Sequence, residues 1–540
     1  VAGLVTTFGS GAMTNSIGEI DDIGTMFVIG SNTTAAHPVI SHRMRRAAQN
    51  GATIIVANPK EIDLVRSAEY FIQPKPGSDT ALLMGMCRSI IENDLHDKEF
   101  IKERTEGFDE FEKALEPFTP EFVEEISGVP WEKIAEVARV FATKKPAAIF
   151  YAMGITQHSH GTDNVMAVAN LAMLTGSVGK RSSGVNPLRG QNNVQGACDL
   201  GGLPNVYPGY QRVDDKANQE KFEKAWGREL SSEVGLTHTE IFDAILDGKI
   251  KSLYMVGENP VLTEANAKHA RKALEELDFL VSQDIFLTES GQYADVVLPA
   301  ASFAEKDGTF TNSERRVQRV RKVIPPRGDA KPDWWITSQI AQAMGEEGFD
   351  YQSPQEIMAE INQVSPIYGG ITYERIEEVG LQWPCRDEKD PGTVFLHEGQ
   401  FSRGKGRFMT LEYKPSAEKA TKTYPLILTT DRNLYHYHSS TMTKRVDGLN
   451  ELSSEELVMI NPLDAEQYGV VDGQMVEVSS KRGKITARAE VTEVCRPGMI
   501  SMTFHFAESP TNEITNPALD PIAKIPETKV SAVKIKPLAE

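Results

Sequence analysis

The sequence predicts a multidomain α/β protein that ends in a β-rich region or barrel, and three observations predict it. Short apolar runs alternate with amphipathic helical stretches through the first 200 or so residues and again after them, the pattern of parallel sheets flanked by helices. Beyond about residue 421 the texture changes to short strands divided by Asp-Gly, Arg-Gly and Pro-Gly turns. A chain of 540 residues also exceeds what one hydrophobic core usually serves, so three or four domains are expected.

In chain order, MFVIG reads as a buried strand, SNTTAAHP as a turn, and the next stretch as a helix carrying Arg43, Arg45 and Arg46. ATIIVANPK, residues 52–60, is the second strand. Ser78 is placed as the N-cap of the periodic helix DTALLMGMCRSIIEN. PEFVEEISGVPWEKIAEVARVFATKK reads as two helices and PAAIFYAMG as another buried strand. The second α/β stretch holds the helix TEIFDAILDGKI and the strand-turn units SLYMVGENP and DFLVSQDIFLTES. Residues 345–420 are looser and rich in Pro, Gly and charge. PLILTT, LVMINP, MVEVSS, KITARAEV and MISMTFHF are the strands of the C-terminal region.

Bulk properties exclude several classes. No apolar run reaches the roughly 18 residues of a membrane span. A formal charge of -19 argues against nucleic acid or an anionic membrane as partner, and an enzyme of small anions would then gather its positive charge inside a cleft. Cys87, Cys198, Cys385 and Cys495 are widely scattered with no CxxC spacing, so no metal site is expected from this chain alone. Scattered cysteines fit a reducing compartment, and a cytoplasmic location is expected.

Two turns, IGSN at 29–32 and VGENP at 256–260, fall beyond the carboxyl ends of strands, where open α/β sheets bind ligands. Neither matches GxGxxG, and an ordinary βα turn accounts for either alone. GSVGKRS at 176–182 is rejected as a phosphate loop, because its spacing is wrong and Arg181 stands where Ser or Thr should hold magnesium. The informative run is GVNPLRGQNNVQGACDLGGLPN, residues 184–205, which shows neither helical nor strand periodicity. It reads either as a solvated surface loop or as a polar cleft loop around an anion. Arg189 favours the second, since a guanidinium fork gives a carboxylate two parallel charge-assisted hydrogen bonds.

That run is similar, nearly residue for residue, to the active-site segment of bacterial formate dehydrogenases in the dimethyl-sulfoxide-reductase superfamily. GSGAMTN, GSNTTAAHP, KPGSDTALL, MGITQH, NLAMLTGSVGKRSSGVNP, YMVGENP, SQDIFLTES, ADVVLPAASFAEKDGTFTNSERRVQ and NEITNPALDP follow in the family's order, so the likeness spans the chain. The resemblance implies a molybdenum or tungsten ion held by two molybdopterin guanine dinucleotides. It implies two α/β dinucleotide-binding domains and a C-terminal double-psi-type β-barrel. The expected domains are 1–191 for one dinucleotide, 192–302 as part of the domain for the other, 303–420 as a connecting segment with the rest of the α/β region, and 421–540 as the pterin-covering barrel.

By position in matching motifs, the resemblance assigns Asn32, Asn58, Lys60, Gly77, Asp79, Gly154 and Gln157 to one dinucleotide. Gly257, Asn259, Thr263, Gln283, Asp284 and Asp333 are assigned to the other, and Arg432, His436, Tyr437 and Lys529 to pterin or phosphate contacts from the barrel. Many relatives have Asp-Pro-Arg where this chain has Asn58-Pro59-Lys60, and Asn58 can accept only through its carbonyl. Arg189 is expected to anchor formate, with Gln191 shaping the pocket, as two electrons pass to the metal.

Relatives place (Sec/Cys)-His-Gly-Pro-Ser directly before Val-Ala-Gly-Leu, residues 1–4 here. The expectation is therefore a selenocysteine ligand, in preference to cysteine, and a [4Fe–4S] cluster on a four-cysteine motif, both in a preceding region. Implied partners are formate or carbon dioxide and iron–sulfur electron-transfer subunits, with a hydrogenase or an NAD(P)-reducing module as candidates. The competing readings are an oxyanion reductase of the same superfamily, opposed by the intact NPLRGQNN run, and a structural subunit that lost its pterin. Retained Arg189, Asp284, Arg432 and His436 oppose the latter.

Overall fold

Five parallel strands form the first sheet of the computed structural model, which describes residues 1–539. They are β1 (Thr25–Ile29), β2 (Thr53–Ala57), β3 (Tyr70–Ile72), β4 (Ala147–Tyr151) and β5 (Val185–Pro187), in the order β3-β2-β1-β4-β5. Thr25 stands in register with Thr53 on one side and Ala147 on the other. Every residue of β1, β2 and β4 is buried. Alternate residues serve different cores. Phe27, Ile29, Ile55, Ala57, Ile149 and Tyr151 join one cluster, whereas Met26, Val28, Ile54, Val56, Ala148 and Phe150 join the other. A parallel sheet covered on both faces needs such continuous apolar strands, which is why they are legible in the sequence.

The flanking helices start and stop for local reasons. Thr119 caps Pro120–Ser127 by accepting from the Phe122 N–H at 3.2 Å, and Gly128 ends it in the left-handed conformation. Ser78 does occupy the N-cap position of Asp79–Glu92, but its hydroxyl donates to the Lys75 carbonyl at 2.6 Å and caps nothing. The run 184–205 departs from its aperiodic reading. Val185–Pro187 is the edge strand β5, its conformation set by pairing with β4, and Val194–Asp199 is a short helix entered through a left-handed Asn193.

The chain divides into two compact units, residues 1–190 with 262–268 and 395–540, and residues 191–261 with 269–394. The second unit holds a three-stranded parallel sheet, β6 (Ser252–Val256), β7 (Phe279–Asp284) and β8 (Val296–Pro299), with β7 central. Its core is Phe242, Ile245, Met255, Val261, Ala270, Ala273, Leu274 and Leu280. A buried polar knot also lies in this unit. Asp199 accepts from Gln195 and Tyr210 at one oxygen and from Tyr368 and Trp383 at the other, at 2.6–2.8 Å.

The C-terminal part of the first unit is a closed six-stranded barrel of β9 (Leu426–Thr430), β10 (Leu457–Ile460), β11 (Met475–Ser479), β12 (Lys484–Val491), β13 (Met499–Met502) and β14 (Ser531–Pro537). Parallel and antiparallel pairings mix around the ring β9-β13-β10-β12-β11-β14. Its interior is filled by Leu426, Leu428, Val458, Ile460, Val476, Val478, Ile500 and Val533 among others. Among the described residues no helix is long and apolar enough to cross a membrane.

Candidate functional site

The first unit contains a cleft enclosing about 860 Å³, part of it open to solvent, where the turns after β1 and β2 meet the end of β9. Asn32, Asn58, Lys60, Gly77, Asp79, Gly154, Arg432 and Lys529, all selected from the sequence, line it together. Gln157 stands just outside, its carbonyl accepting from the Lys529 N–H at 3.4 Å.

Glycines bring the backbone close. A Cβ on Gly154 would sit 2.5 Å from the Gly30 carbonyl oxygen, so the turns after β1 and β4 touch main chain to main chain. Gly77 has φ +81°, and a Cβ there would run into the Ser416 side-chain hydroxyl.

Positive charge gathers here, as expected if an acidic chain is to receive an anion. Lys60, Lys75, Arg432 and Lys529 line the cleft, opposed by Asp79 and Asp431. Asp431 was not anticipated. Its carboxylate pairs with the Lys60 ammonium and accepts from Asn32 Nδ2 at 3.1 and 3.3 Å, joining the turns after β1 and β2 to the barrel. Burial opposes ionisation of Asp431, but Lys60 outweighs it and holds the carboxyl below its ordinary value. Burial, only partly relieved by Asp431, pushes Lys529 down to about 8, and burial pulls Arg432 down to about 10. Lys529 Nζ donates to the Thr430 carbonyl at 2.6 Å. Burial alone raises Asp79, at the start of its helix, to about 7. Asn58 uses its side-chain carbonyl to accept from the Lys60 N–H at 3.0 Å, an Asx turn.

Arg189 follows β5, half-buried, and its carbonyl accepts from His37 Nε2 at 2.7 Å. Leu188 and Gly190 line the cleft on either side of it in sequence. His37, also missed from sequence, lines the cleft with its Nδ1 buried and unpartnered among the described residues. His436 is buried with Nε2 donating to the Ser453 carbonyl at 2.6 Å and Nδ1 beside Thr443 Oγ1 at 3.1 Å, while Tyr437 is exposed. The rejected GSVGKRS segment is mostly buried, with Arg181 reaching the surface to pair with Asp22 at 3.1 Å.

In the second unit, Gln191 is exposed. Gly257 ends β6 with its N–H donating to the Gln283 carbonyl at 2.8 Å. Gln283 donates to Asp333 at 2.8 Å and accepts from Tyr254, and Asp333 pairs with Lys306. Asn259 donates to Glu289 at 2.8 Å and accepts from Ser290 Oγ at 2.7 Å. Asp284 is raised by burial, although its own turn amides at Ile285 and Phe286 oppose the shift. Thr263 falls in the first unit, its carbonyl accepting from Asn512 Nδ2 at 3.3 Å.

The cationic cleft, with the Gly30 and Gly154 backbones in close contact at its wall, fits the diphosphate of a dinucleotide. Among the described residues no cluster of His, Cys, Asp or Glu could hold a metal ion, and all four cysteines are free and buried.

Comparison with known proteins agrees. The family model described as Molybdopterin oxidoreductase matches residues 4–343, and that described as Molydopterin dinucleotide binding domain matches 426–532. A protein named F420-dependent formate dehydrogenase subunit alpha, from Methanocaldococcus jannaschii, is 48% identical over 99% of this chain and 80% of its own length. Formate dehydrogenase H of Escherichia coli is 43% identical over 100% of this chain and 76% of its own length. The structure of acetylene hydratase from Pelobacter acetylenicus covers 99% of this chain and 80% of its own with a TM-score of 0.78, at 20% identity, a likeness of fold.

Proposed function

We propose that this chain, which belongs to the molybdopterin oxidoreductase family and is an oxidoreductase, carries the catalytic part of a formate dehydrogenase that removes two electrons and a proton from formate to give carbon dioxide. The observation that supports it most is likeness over 99% of the chain to a relative named for formate, with the NPLRGQNN run intact at residues 186–193. Bound molybdopterin guanine dinucleotides, two per chain, would supply a molybdenum or tungsten centre that accepts the electron pair. One dinucleotide is assigned to the region 1–191 and the other to 192–302 with part of 303–420, and the barrel of 421–540 is assigned to pterin contacts.

The chain's own residues bind and orient. Lys60, Arg432 and Lys529 neutralise diphosphate, Asn32 and Asn58 shape the turns that receive it, and Gly77 and Gly154 admit the backbone approach. Asp79 faces a nucleobase edge as an acceptor, with Gln157 holding the Lys529 segment. Gly257, Asn259, Thr263, Gln283, Asp284 and Asp333 serve the second dinucleotide, and Asp284 suits the paired N–H donors of guanine. His436 and Tyr437 are assigned, with Arg432 and Lys529, to pterin or phosphate contacts from the barrel. Arg189 grips the formate carboxylate with its two-pronged fork. Electrons leave through iron–sulfur groups outside the described residues. Relatives named F420-dependent add an F420-linked partner to the hydrogenase and NAD(P)-reducing candidates. Four free cysteines support a reducing, cytoplasmic setting.

Arg189→Lys in the complete enzyme keeps the charge and loses the fork, so formate turnover should fall about 10- to 1000-fold in kcat/KM. A variant near wild type would remove Arg189 as the substrate anchor. Acid-released GMP should approach two per chain in metal-loaded protein, and none would sink the cofactor assignment.

A further inference from the structure

MISMTFHF reads as one strand in the sequence, yet β13 stops at Met502 and Phe504, His505 and Phe506 lie beyond it. These three residues meet the loop 432–440 at every turn. The Arg432 guanidinium carbon lies 4.5 Å from the centre of the Phe504 ring, and the His438 ring meets Phe504 edge-on at 5.6 Å. His505 is fully buried. Its Nε2 accepts from the Asn433 N–H at 2.9 Å, and its Nδ1 donates in a short bond to the His438 carbonyl. Ser440 Oγ donates to the His505 carbonyl, and Phe506 meets the His436 ring edge-on at 5.2 Å. A neutral imidazole in one tautomer satisfies both main-chain groups, and an imidazolium could not accept from Asn433. A guanidinium backed by a ring face keeps its N–H donors available at its edge for an anion.

We propose that Phe504 and His505 are positioning residues that aim the Arg432 guanidinium into the cleft, Phe504 as its backing and His505 as the tie across its loop. This rests on the reading that the cleft binds the diphosphate of a guanine dinucleotide. Neither residue lines the cleft, and each acts through Arg432.

The test is a mutant cycle read by cofactor retention in the holoenzyme, as GMP remaining on the chain during dialysis against high salt. Phe504→Leu should speed cofactor loss about 10-fold, and Phe504→Tyr, which keeps the ring face, should restore retention to within about 2-fold. Arg432→Gln should speed loss at least as much, and the double variant should lose cofactor no faster than Arg432→Gln alone. Additive effects, or Leu and Tyr behaving alike, would overturn the proposal and leave the cofactor reading standing. Wild-type retention in Arg432→Gln would instead overturn the reading of the cleft, and the proposal with it. If Phe504→Leu does not fold, His505→Gln runs the same cycle with the same expected non-additivity.

Discussion

The two parallel sheets are built from the same kind of strand and differ in how deeply they are buried. In the first, β1, β2 and β4 lie wholly inside, and the polar groups at their ends face a cationic cleft closed by the barrel. In the second, Tyr254, Val256, Phe279, Val296 and Val297 are exposed, and Asn259, Gln283 and Asp333 bond to neighbouring side chains within the unit. A strand followed by a glycine turn therefore recurs in both sheets without setting how strongly the neighbouring charges interact. Burial sets that, because the same ion pair is stronger and harder to break where water is excluded.

The largest expected effect tests this contrast with two matched ion pairs. Lys60 and Asp431 are 12% and 16% exposed, whereas Lys306 and Asp333 are 21% and 38% exposed. Lys60→Met strands a buried carboxylate and should cost about 3–5 kcal/mol, with most of it recovered in Lys60→Met/Asp431→Leu. Lys306→Met should cost about 1 kcal/mol or less. Urea unfolding followed by circular dichroism measures both, and equal losses would break the comparison.

Next comes a proton-linked effect confined to the buried side. Burial holds His505 down to about 4 from an ordinary 6.5. The folded state thus binds its proton less readily than the unfolded chain, so the ring's contribution is present above pH 6.5 and lost as pH falls through about 4. The stability penalty of His505→Gln should therefore shrink by about 3 kcal/mol between pH 7.5 and pH 4. A penalty that stays constant with pH would show that the ring is not held neutral.

The smallest contrast is between two glycines. Gly77→Ala, with Ser416 Oγ in the way, should cost more than Gly257→Ala, which has φ +65° and open space. The second change carries only the left-handed backbone penalty of about 1 kcal/mol. Thermal unfolding midpoints that reverse this order would contradict the close approach at Gly77.

Fully buried strands were the legible part of the fold, because unbroken apolar runs such as TMFVI and TIIVA suit a strand covered on both faces and little else of that length. β5 and β14 were not. VNP is a strand because β4 offers it a partner, and SAVKIKP gains its meaning by closing the barrel against β9 and β11. The lining of the cleft was legible through family motifs, from Asn32 to Lys529. Asp431 and His37 were not, since a carboxylate beside an arginine and a lone histidine look alike on a surface and in a cleft. Only the Lys60 and Arg189 contacts distinguish them.

The Asn32–Asp431 bond spans 399 positions of sequence. At about 5–20 residues per second, a ribosome needs roughly 20–80 seconds to travel between them. The first sheet can collapse in a small fraction of that time, long before the barrel wall of the cleft has been made. During synthesis the binding face is therefore an open shelf that becomes an enclosure only when the last part of the chain arrives.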